Sequence, residues 1–460
     1  MPIVDSDTER RLLIALRAKP RQTSTELAGV LGVSAQTIRR MFGRMPSGAI
    51  LASGRTHRAR YALRRALRGS NEDLPLYAID AEGRGQRLAT LALVEPEGTL
   101  MALPDTAWPV PEESRDGWWA GLPYPIWSMR PQGYLGRRFA MAEHRDLGVA
   151  DDPEAWTDDD ILWVLSRRGT DTAGNLVLGD EAYRRWLEVK MREEPVLAAD
   201  GAPAEYARLA GESVTHGRAG SSAAGEFPKF TALRDLDGAM TPHVIVKFSG
   251  AGDSGAERRW SDLLVCEHLA LIHAASLPGV EAARSRVLRH EGRTFLETER
   301  FDRVGPHGRL PICTLDAIQP AFVGARSTRW TDLVERLHAA RLVERDDVDR
   351  VATLWWYGRL IANDDMHLGN LSFRVGRGFR LAPAYDMLPM AYAPLPGGEV
   401  PQREFAPALP LPAERASWLT SCRGAIAFWR EAATDTRVGE AFRGVCRANA
   451  ARLEEVAEKV

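Results

Sequence analysis

Cysteine is scarce in this chain of 460 residues: Cys266, Cys313, Cys422 and Cys446 stand alone, with no C-x-x-C or other metal-like spacing. That excludes a disulfide framework and a structural zinc site, and it suits structural thiols in a reducing cytoplasm. Long apolar runs are missing too. None approaches the roughly 18 residues of a membrane span, and the opening residues show no charged, apolar, small-residue leader, so neither membrane nor secretion is expected. Lysine occurs only at positions 19, 190, 229, 247 and 459, against 60 basic residues in all. Where so arginine-rich a chain keeps a lysine, a compact point charge is the property being selected.

Core-forming residues are plentiful, with 45% hydrophobic and 8% aromatic content, enough for about two to four domains. The net charge of −2 conceals an asymmetry. Residues 1–68 hold 14 Arg and Lys against Asp5, Asp7, Glu9 and Glu26, a net of +10, which leaves the remainder at −12. A basic head on an acidic body points to nucleic acid at the head alone.

The head reads as three helices and a hairpin. Residues 9–19 place Leu12, Leu13 and Leu16 on one face, and Thr23-Ser24-Thr25-Glu26 is a capping box for a second helix that Gly32 stops. Ser34 caps a third helix over 35–45, with Ile38, Met41 and Phe42 inward and Gln36, Thr37, Arg39, Arg40 and Arg44 outward. Residues 50–52 and 60–63 then flank a basic turn, Ser53-Gly54-Arg55-Thr56-His57-Arg58. The pattern resembles winged helix-turn-helix DNA-binding domains, which implies a duplex DNA partner. The helix from Ser34 through Arg44 would contact the duplex together with Arg55, Arg58 and Arg60.

Residues 67–73 read as a polar link, and 74–136 as a small β-rich unit whose Trp118, Trp119, Tyr124 and Trp127 suit core packing better than a surface groove. Residues 151–190 turn helical and acidic, while 198–210 read as a small-residue connector without a role. Next, residues 217–229 are rich in Gly, Ala and Ser, a composition that lets backbone N–H groups approach phosphates and that also suits a linker. Strands at 229–233 and 243–248 follow, the second carrying Lys247, and then a helix over 256–275. Gly-rich loop, strand, and lysine on a second strand is the order in which kinases cover and neutralise nucleotide phosphates. A strand over 293–303 brings Glu299, Arg300 and Phe301 to the place of an adenine-gripping hinge, and beyond 315 the chain is mainly helical.

The stretch that would carry chemistry is Asn363-Asp364-Asp365-Met366-His367-Leu368-Gly369-Asn370, between an apolar helix at 351–360 and a hairpin that leads to Tyr385-Asp386. Phosphoryl transfer needs one carboxylate to orient or deprotonate the acceptor hydroxyl, and an Asn with a second carboxylate to hold Mg²⁺. Asp365, Asn370 and Asp386 match those posts, although a lone D-x-H-x-x-N is also compatible with an Asx turn and a surface His367.

Taken together, Ser222-Ala223-Ala224-Gly225-Glu226-Phe227-Pro228-Lys229, His243-Val244-Ile245-Val246-Lys247, Glu299-Arg300-Phe301-Asp302-Arg303, the Asp365 loop and Tyr385-Asp386 resemble the HipA family of bacterial toxin serine/threonine kinases, over residues 74–460. The resemblance implies an α+β fold, with a winged helix-turn-helix before a bilobal kinase of β-rich N-lobe and helical C-lobe. The implied division is 1–68, 72–150, 151–303 and 304–460. It implies ATP and Mg²⁺, with Ala224, Gly225, Glu226, Phe227, Pro228, Lys229, Lys247, Glu299, Arg300, Phe301, His367, Asn370 and Asp386 toward the nucleotide. Asn370 and Asp386 would hold the metal, Asp365 would be catalytic, and Ser222 would be autophosphorylated, with Ser221 as the alternative.

Two features depart from that pattern. Asp262-Leu263 stands where the family often has Asn-Glu, so the acidic partner of Lys247 must come from elsewhere, with Glu267 as the candidate. The fused winged helix resembles the YjjJ-like branch, which leaves a separate antitoxin and a homodimer open. The expected function is a cytoplasmic, growth-inhibiting protein kinase acting on a protein substrate. The alternatives are a DNA-binding regulator with a nucleotide-sensing or silent kinase fold, and a small-molecule phosphotransferase.

Overall fold

The computed structural model describes residues 6–104, 106–192, 196–215 and 227–460. Ser221, Ser222, Ala224, Gly225 and Glu226 therefore lie outside the described residues.

Local signals set the N-terminal helices. Ser6–Ala18 is the first, and Ser24–Leu31 begins with a capping box between Thr23 and Glu26 and ends at Gly32, whose φ of 71° is left-handed. Ser34 caps the third, Ala35–Phe42, by accepting the Thr37 N–H at 3.1 Å. Leu12, Leu16, Leu27, Leu31, Ile38, Met41 and Leu63 form one apolar core. Ile50–Ser53 and Arg60–Leu63 pair as the antiparallel wing, and the short strand Gln22–Thr23 joins the other edge of Arg60–Leu63.

This head is docked on the rest of the chain by its own arginines. Arg17 meets Glu95 at 2.8 Å, Arg64 meets Asp73 at 2.5 Å, Arg68 meets Asp160 at 2.6 Å, and Arg65 pairs with Asp159. Leu51 and Ala62 of the wing pack with Ala92, Val94 and Trp118. The +10 of residues 1–68 is thus not all presented outward, and the stretch expected as a polar link is tied down, with Leu67 buried.

A five-stranded sheet follows. Leu74–Ile79 and Gly85–Leu93 are central, Thr99–Leu100 and Trp118–Trp119 extend one side, and Leu176–Leu178 closes the other. That last strand lies within the segment expected to be helical; its Leu-Val-Leu run is fully buried against Leu76, Tyr77 and Ala78. Trp118, Trp119 and Tyr124 are buried, so they serve the core.

The small-lobe sheet is antiparallel in the order Ser285–His290, Arg293–Glu299, His243–Phe248, Lys229–Leu233, with helix Gly255–Ala275 packed against it. Ala202–Thr215 covers its other side. The stretch expected as a roleless connector is therefore a helix, because Ala202, Tyr206 and Ala210 bury against Val244, Val246, Phe248 and Phe295. The large lobe is built from Leu315–Phe322, Trp330–Ala339, Arg345–Leu360, Arg415–Thr434 and Glu440–Ala457, with a three-stranded sheet of Ile312–Thr314, Ser372–Val375 and Phe379–Leu381. All four cysteines are free and buried, and among the described residues no helix is long and apolar enough to cross a membrane.

Candidate active site

Helix Arg345–Leu360 is buried along Val348, Val351, Leu354, Tyr357 and Leu360, which fixes where its C-terminal end points. The chain leaves the helix through Ala362, in the left-handed region at φ 58°, and the Asn363 N–H returns to the Gly358 carbonyl at 2.9 Å. From there Asn363, itself buried, organises the loop. Its Nδ2 donates to the Asp386 carbonyl at 3.2 Å and its Oδ1 accepts the Asp365 N–H at 3.1 Å.

Asp365 is exposed at the loop's tip. Asn370 Nδ2 donates to the Asp365 carbonyl at 2.8 Å, which ties the Asn370 side chain to the loop's tip. His367 Nδ1 accepts the Gly369 N–H at 3.1 Å, and Trp330 Nε1 donates to the His367 carbonyl at 3.2 Å. Tyr385 closes the far side by donating to the Gly369 carbonyl at 2.5 Å and meeting Ser372 Oγ at 2.7 Å.

Asp386, at φ 53°, accepts from Lys247 Nζ, which also donates to both oxygens of Glu267 at 2.7 and 2.8 Å. One ammonium thus sits between two carboxylates. Burial would raise Asp386, but Lys247 and Lys229 hold it down to about 2. Burial wins at Glu267, which is pushed up to about 7 against the pull of Lys247. Lys247 itself is raised, since the two carboxylates more than offset its burial. Lys229 stands directly across the strand pair from Lys247, so two of the chain's few lysines share one face of the sheet.

Glu267 therefore supplies the acidic partner, while Asp262 is spent elsewhere, accepting the Gly439 N–H at 2.7 Å. Phe227 is buried with its ring 4.6 Å from that of Trp260 and 5.8 Å from Lys247 Nζ. The Pro228 carbonyl accepts the Phe248 N–H at 3.1 Å. In the segment expected as a hinge, the N–H groups of Glu299 and Arg300 donate to the Arg284 and His243 carbonyls, and their side chains pair with Arg234, Asp171 and Asp302. The Phe301 N–H has no hydrogen bond among the described residues, and its ring lies 5.6 Å from that of Tyr385.

Asn363, Tyr385 and Ser372 lie in the stretches expected to carry the chemistry, but the sequence assigned them no role of their own. The Asn363 signal was present in its place one residue before Asp364-Asp365, but an Asn there reads as an ordinary turn former. Among the described residues no three His, Cys, Asp or Glu gather as a metal cage. Hard oxygens at Asn370 and Asp386 suit Mg²⁺, which is commonly held by one or two protein oxygens and substrate phosphates.

At the head, Ser34, Gln36, Arg39, Arg40, Arg44, Arg55, Arg58 and Arg60 are exposed, while Thr37 is half-buried and held by Ser34 and Arg40.

Three family models match the chain in order: winged helix-turn-helix DNA-binding at residues 5–45, YjjJ-like toxin middle domain at 70–187, and HipA-like C-terminal domain at 221–459. Toxin YjjJ of Escherichia coli (strain K12) is 34% identical over 445 residues, covering 95% of this chain and 96% of that one. Among solved structures, the HipA toxin–antitoxin complex of Shewanella oneidensis MR-1 with HipB and operator DNA overlaps 84% of this chain and 97% of its own, at TM-score 0.50 and 16% identity, a likeness of fold. The Helicobacter pylori proinflammatory kinase CtkA overlaps 51% of this chain at TM-score 0.33, too weak to bear on the fold. With an α+β architecture of winged helix-turn-helix and HipA-like bilobal fold, the chain belongs to the HipA-like toxins, in their YjjJ-like branch.

Proposed function

We propose that the chain is an ATP- and Mg²⁺-dependent protein serine/threonine kinase of the HipA toxin type that carries its own DNA-binding domain. The observation that carries this reading is the convergence of Lys247, Glu267 and Asp386 from three elements, with Asn363 tying the Asp365 loop to the same point. Asp365 orients the acceptor hydroxyl and takes its proton. Lys247 and Lys229 neutralise phosphate charge, and the Phe301 N–H addresses the base. Asn370 and Asp386 would hold Mg²⁺, which when bound neutralises charge on the transferring phosphoryl group. The resemblance adds Ser222 as an autophosphorylation site, and the exposed arginines of the head give duplex DNA as partner. A cytoplasmic setting and the division at 68, 150 and 303 belong to the same reading.

Incubating the full chain with labelled ATP and Mg²⁺ against a panel of proteins and metabolites tests it. Transfer to serine or threonine of a protein, lost in Asp365→Asn while ATP binding persists, supports the proposal. Transfer only to a metabolite, ATP binding without any transfer, or wild-type turnover by Asp365→Asn would each overturn it.

A further inference from the structure

Helix Gly255–Ala275 carries Glu267 to Lys247 in the small-lobe sheet, and it is fastened to the large lobe on both sides of Glu267. Beyond Glu267, the Tyr357 hydroxyl donates to the Ala270 carbonyl at 2.9 Å, and His273 Nε2 meets Glu431 at 2.7 Å. Before it, Arg259 and Asp262 meet the start of the last helix, Glu440–Ala457. Those two residues are three apart, so they share one face.

The start of the last helix cannot cap itself in the usual way. Its N-cap is Gly439, which has no side chain to offer, and Phe442 stands at the third position, from which a Glu or Gln would reach back to the N-cap N–H. Asp262 takes that place from the neighbouring helix. Its Oδ1 accepts the Gly439 N–H at 2.7 Å, and a carboxylate is favoured at a helix N-terminus. The carboxyl is 7% exposed; burial pushes it up, and the Gly439 N–H is the largest influence against that. Phe442 is used differently. The Arg259 guanidinium carbon lies 4.2 Å from its ring centre, while a terminal nitrogen of Arg259 donates to the Tyr392 carbonyl at 3.0 Å. Tyr392 leads back to the same last helix, its hydroxyl accepting from Asn449 Nδ2 at 2.9 Å.

An α-helix rises about 1.5 Å per residue, so Glu267 sits about 7.5 Å along the axis from Asp262. Over so short a span the helix moves as one body, and a shift at Asp262 arrives at Glu267 undiminished. Lys247 Nζ donates to both Glu267 oxygens, at 2.7 and 2.8 Å. A displacement of about 1 Å is enough to break such bonds.

We propose that Asp262 and Arg259 are positioning residues for the nucleotide site, holding helix Gly255–Ala275 against the first turn of the last helix at the place where Glu267 meets Lys247. Asp262, which stands where the resemblance led to the expectation of Asn-Glu, thus acts on Lys247 through Glu267 and not by contact. The inference rests on the reading that Lys247 neutralises nucleotide phosphate.

Calorimetric titration of the full chain with ATP and Mg²⁺, in a double-mutant cycle between residues 262 and 267, tests it. Asp262→Ala should weaken ATP binding roughly tenfold, the loss of one buried charge-assisted hydrogen bond. Asp262→Asn keeps an oxygen for the Gly439 N–H and should restore most of that affinity. Glu267→Ala should weaken binding too, and adding Asp262→Ala to it should cost little more, because nothing is left to position. Arg259→Met keeps the bulk over Phe442 without the guanidinium; it should weaken binding several-fold with the same non-additivity, and it decides the matter if Asp262→Ala does not fold. Losses at 262 and 267 that multiply in full, an Asp262→Asn as weak as Asp262→Ala, or ATP binding that Glu267→Ala weakens and neither Asp262→Ala nor Arg259→Met does, would each overturn the inference and leave the nucleotide reading standing. No ATP binding by the wild type, or binding indifferent to both Lys247→Ala and Glu267→Ala, would overturn that reading and the inference with it.

Discussion

Asn363 is bonded to Asp386 through the Asp386 carbonyl at 3.2 Å, while the same side chain accepts the Asp365 N–H at 3.1 Å. One buried amide thus sets the spacing between the residue proposed to orient the hydroxyl and the residue proposed to hold the metal. Asn363→Ala should lower kcat by roughly 100-fold, since a displacement of about 1 Å is enough for such a loss. ATP affinity should change only a few-fold, because Lys247 and Asp386 keep their own contact. Single-turnover kinetics beside ATP titration checks this. A loss confined to ATP affinity would instead make Asn363 a wall of the nucleotide pocket.

Glu267 gives the site a pH signature. Its carboxyl, ordinarily near 4.5, is pushed up to about 7 by burial, so the folded chain holds that proton more tightly than the unfolded chain. The stability it contributes is complete below pH 4.5 and is lost as pH rises through about 7. Asp386 works the other way: held down to about 2 from 3.8, it contributes above 3.8 and loses that contribution toward pH 2. Relative to Glu267→Gln, the wild type should lose stability between pH 4.5 and 7 and run parallel above. Urea midpoints across that range decide it, and a gap that grows in favour of the wild type would contradict the assignment.

The arginines of the head fall into two groups with different expected phenotypes. Arg58 is exposed on the wing, so Arg58→Ala should weaken binding to every duplex and reduce the salt slope by about 1. Arg65 faces Asp159 and Arg68 faces Asp160, so Arg65→Ala should leave the salt slope unchanged and loosen the docking of the head instead. Fluorescence anisotropy over a salt series, with limited proteolysis near residues 64–73, separates the two. Equal salt slopes for both variants would show that the inward arginines also reach DNA.

Elements with local signals were legible in the sequence. The capping residues Thr23 and Ser34, the glycine stop at Gly32, and the strands carrying Lys229 and Lys247 all appear where periodicity placed them. What was hidden depends on partners distant in the chain. Leu176–Leu178 is a strand because Leu76–Ala78 lies beside it, and the helix Ala202–Thr215 is fixed by Tyr206, whose hydroxyl donates to Glu297 at 2.9 Å. Helix geometry explains the acidic partner of Lys247. Five residues turn an α-helix by about 500°, so Asp262 and Glu267 point about 140° apart, one toward Gly439 and the other toward Lys247. A net charge could not show which arginines of the head face aspartates, because that requires the docked surface.

The end of the helix that delivers the Asp365 loop is anchored from another helix. Trp429 is fully buried, its Nε1 donates to the Leu360 carbonyl at 3.0 Å, and its ring packs 4.9 Å from Phe428 and 5.8 Å from Phe405. Leu360 is the last residue of its helix, so its carbonyl lacks the partner a continuing helix would supply. Trp429→Phe keeps an aromatic ring in place but removes the N–H and some volume. The lost hydrogen bond and the small void together should cost about 1–3 kcal/mol. Because Ala362 and Asn363 follow directly on this helix end, phosphotransfer should fall as well at temperatures where the variant remains folded. Urea unfolding and activity measured at the same temperature test both parts. Unchanged stability would mean that the Leu360 carbonyl finds another donor, and lost stability with full activity would mean that Asn363 alone holds the loop.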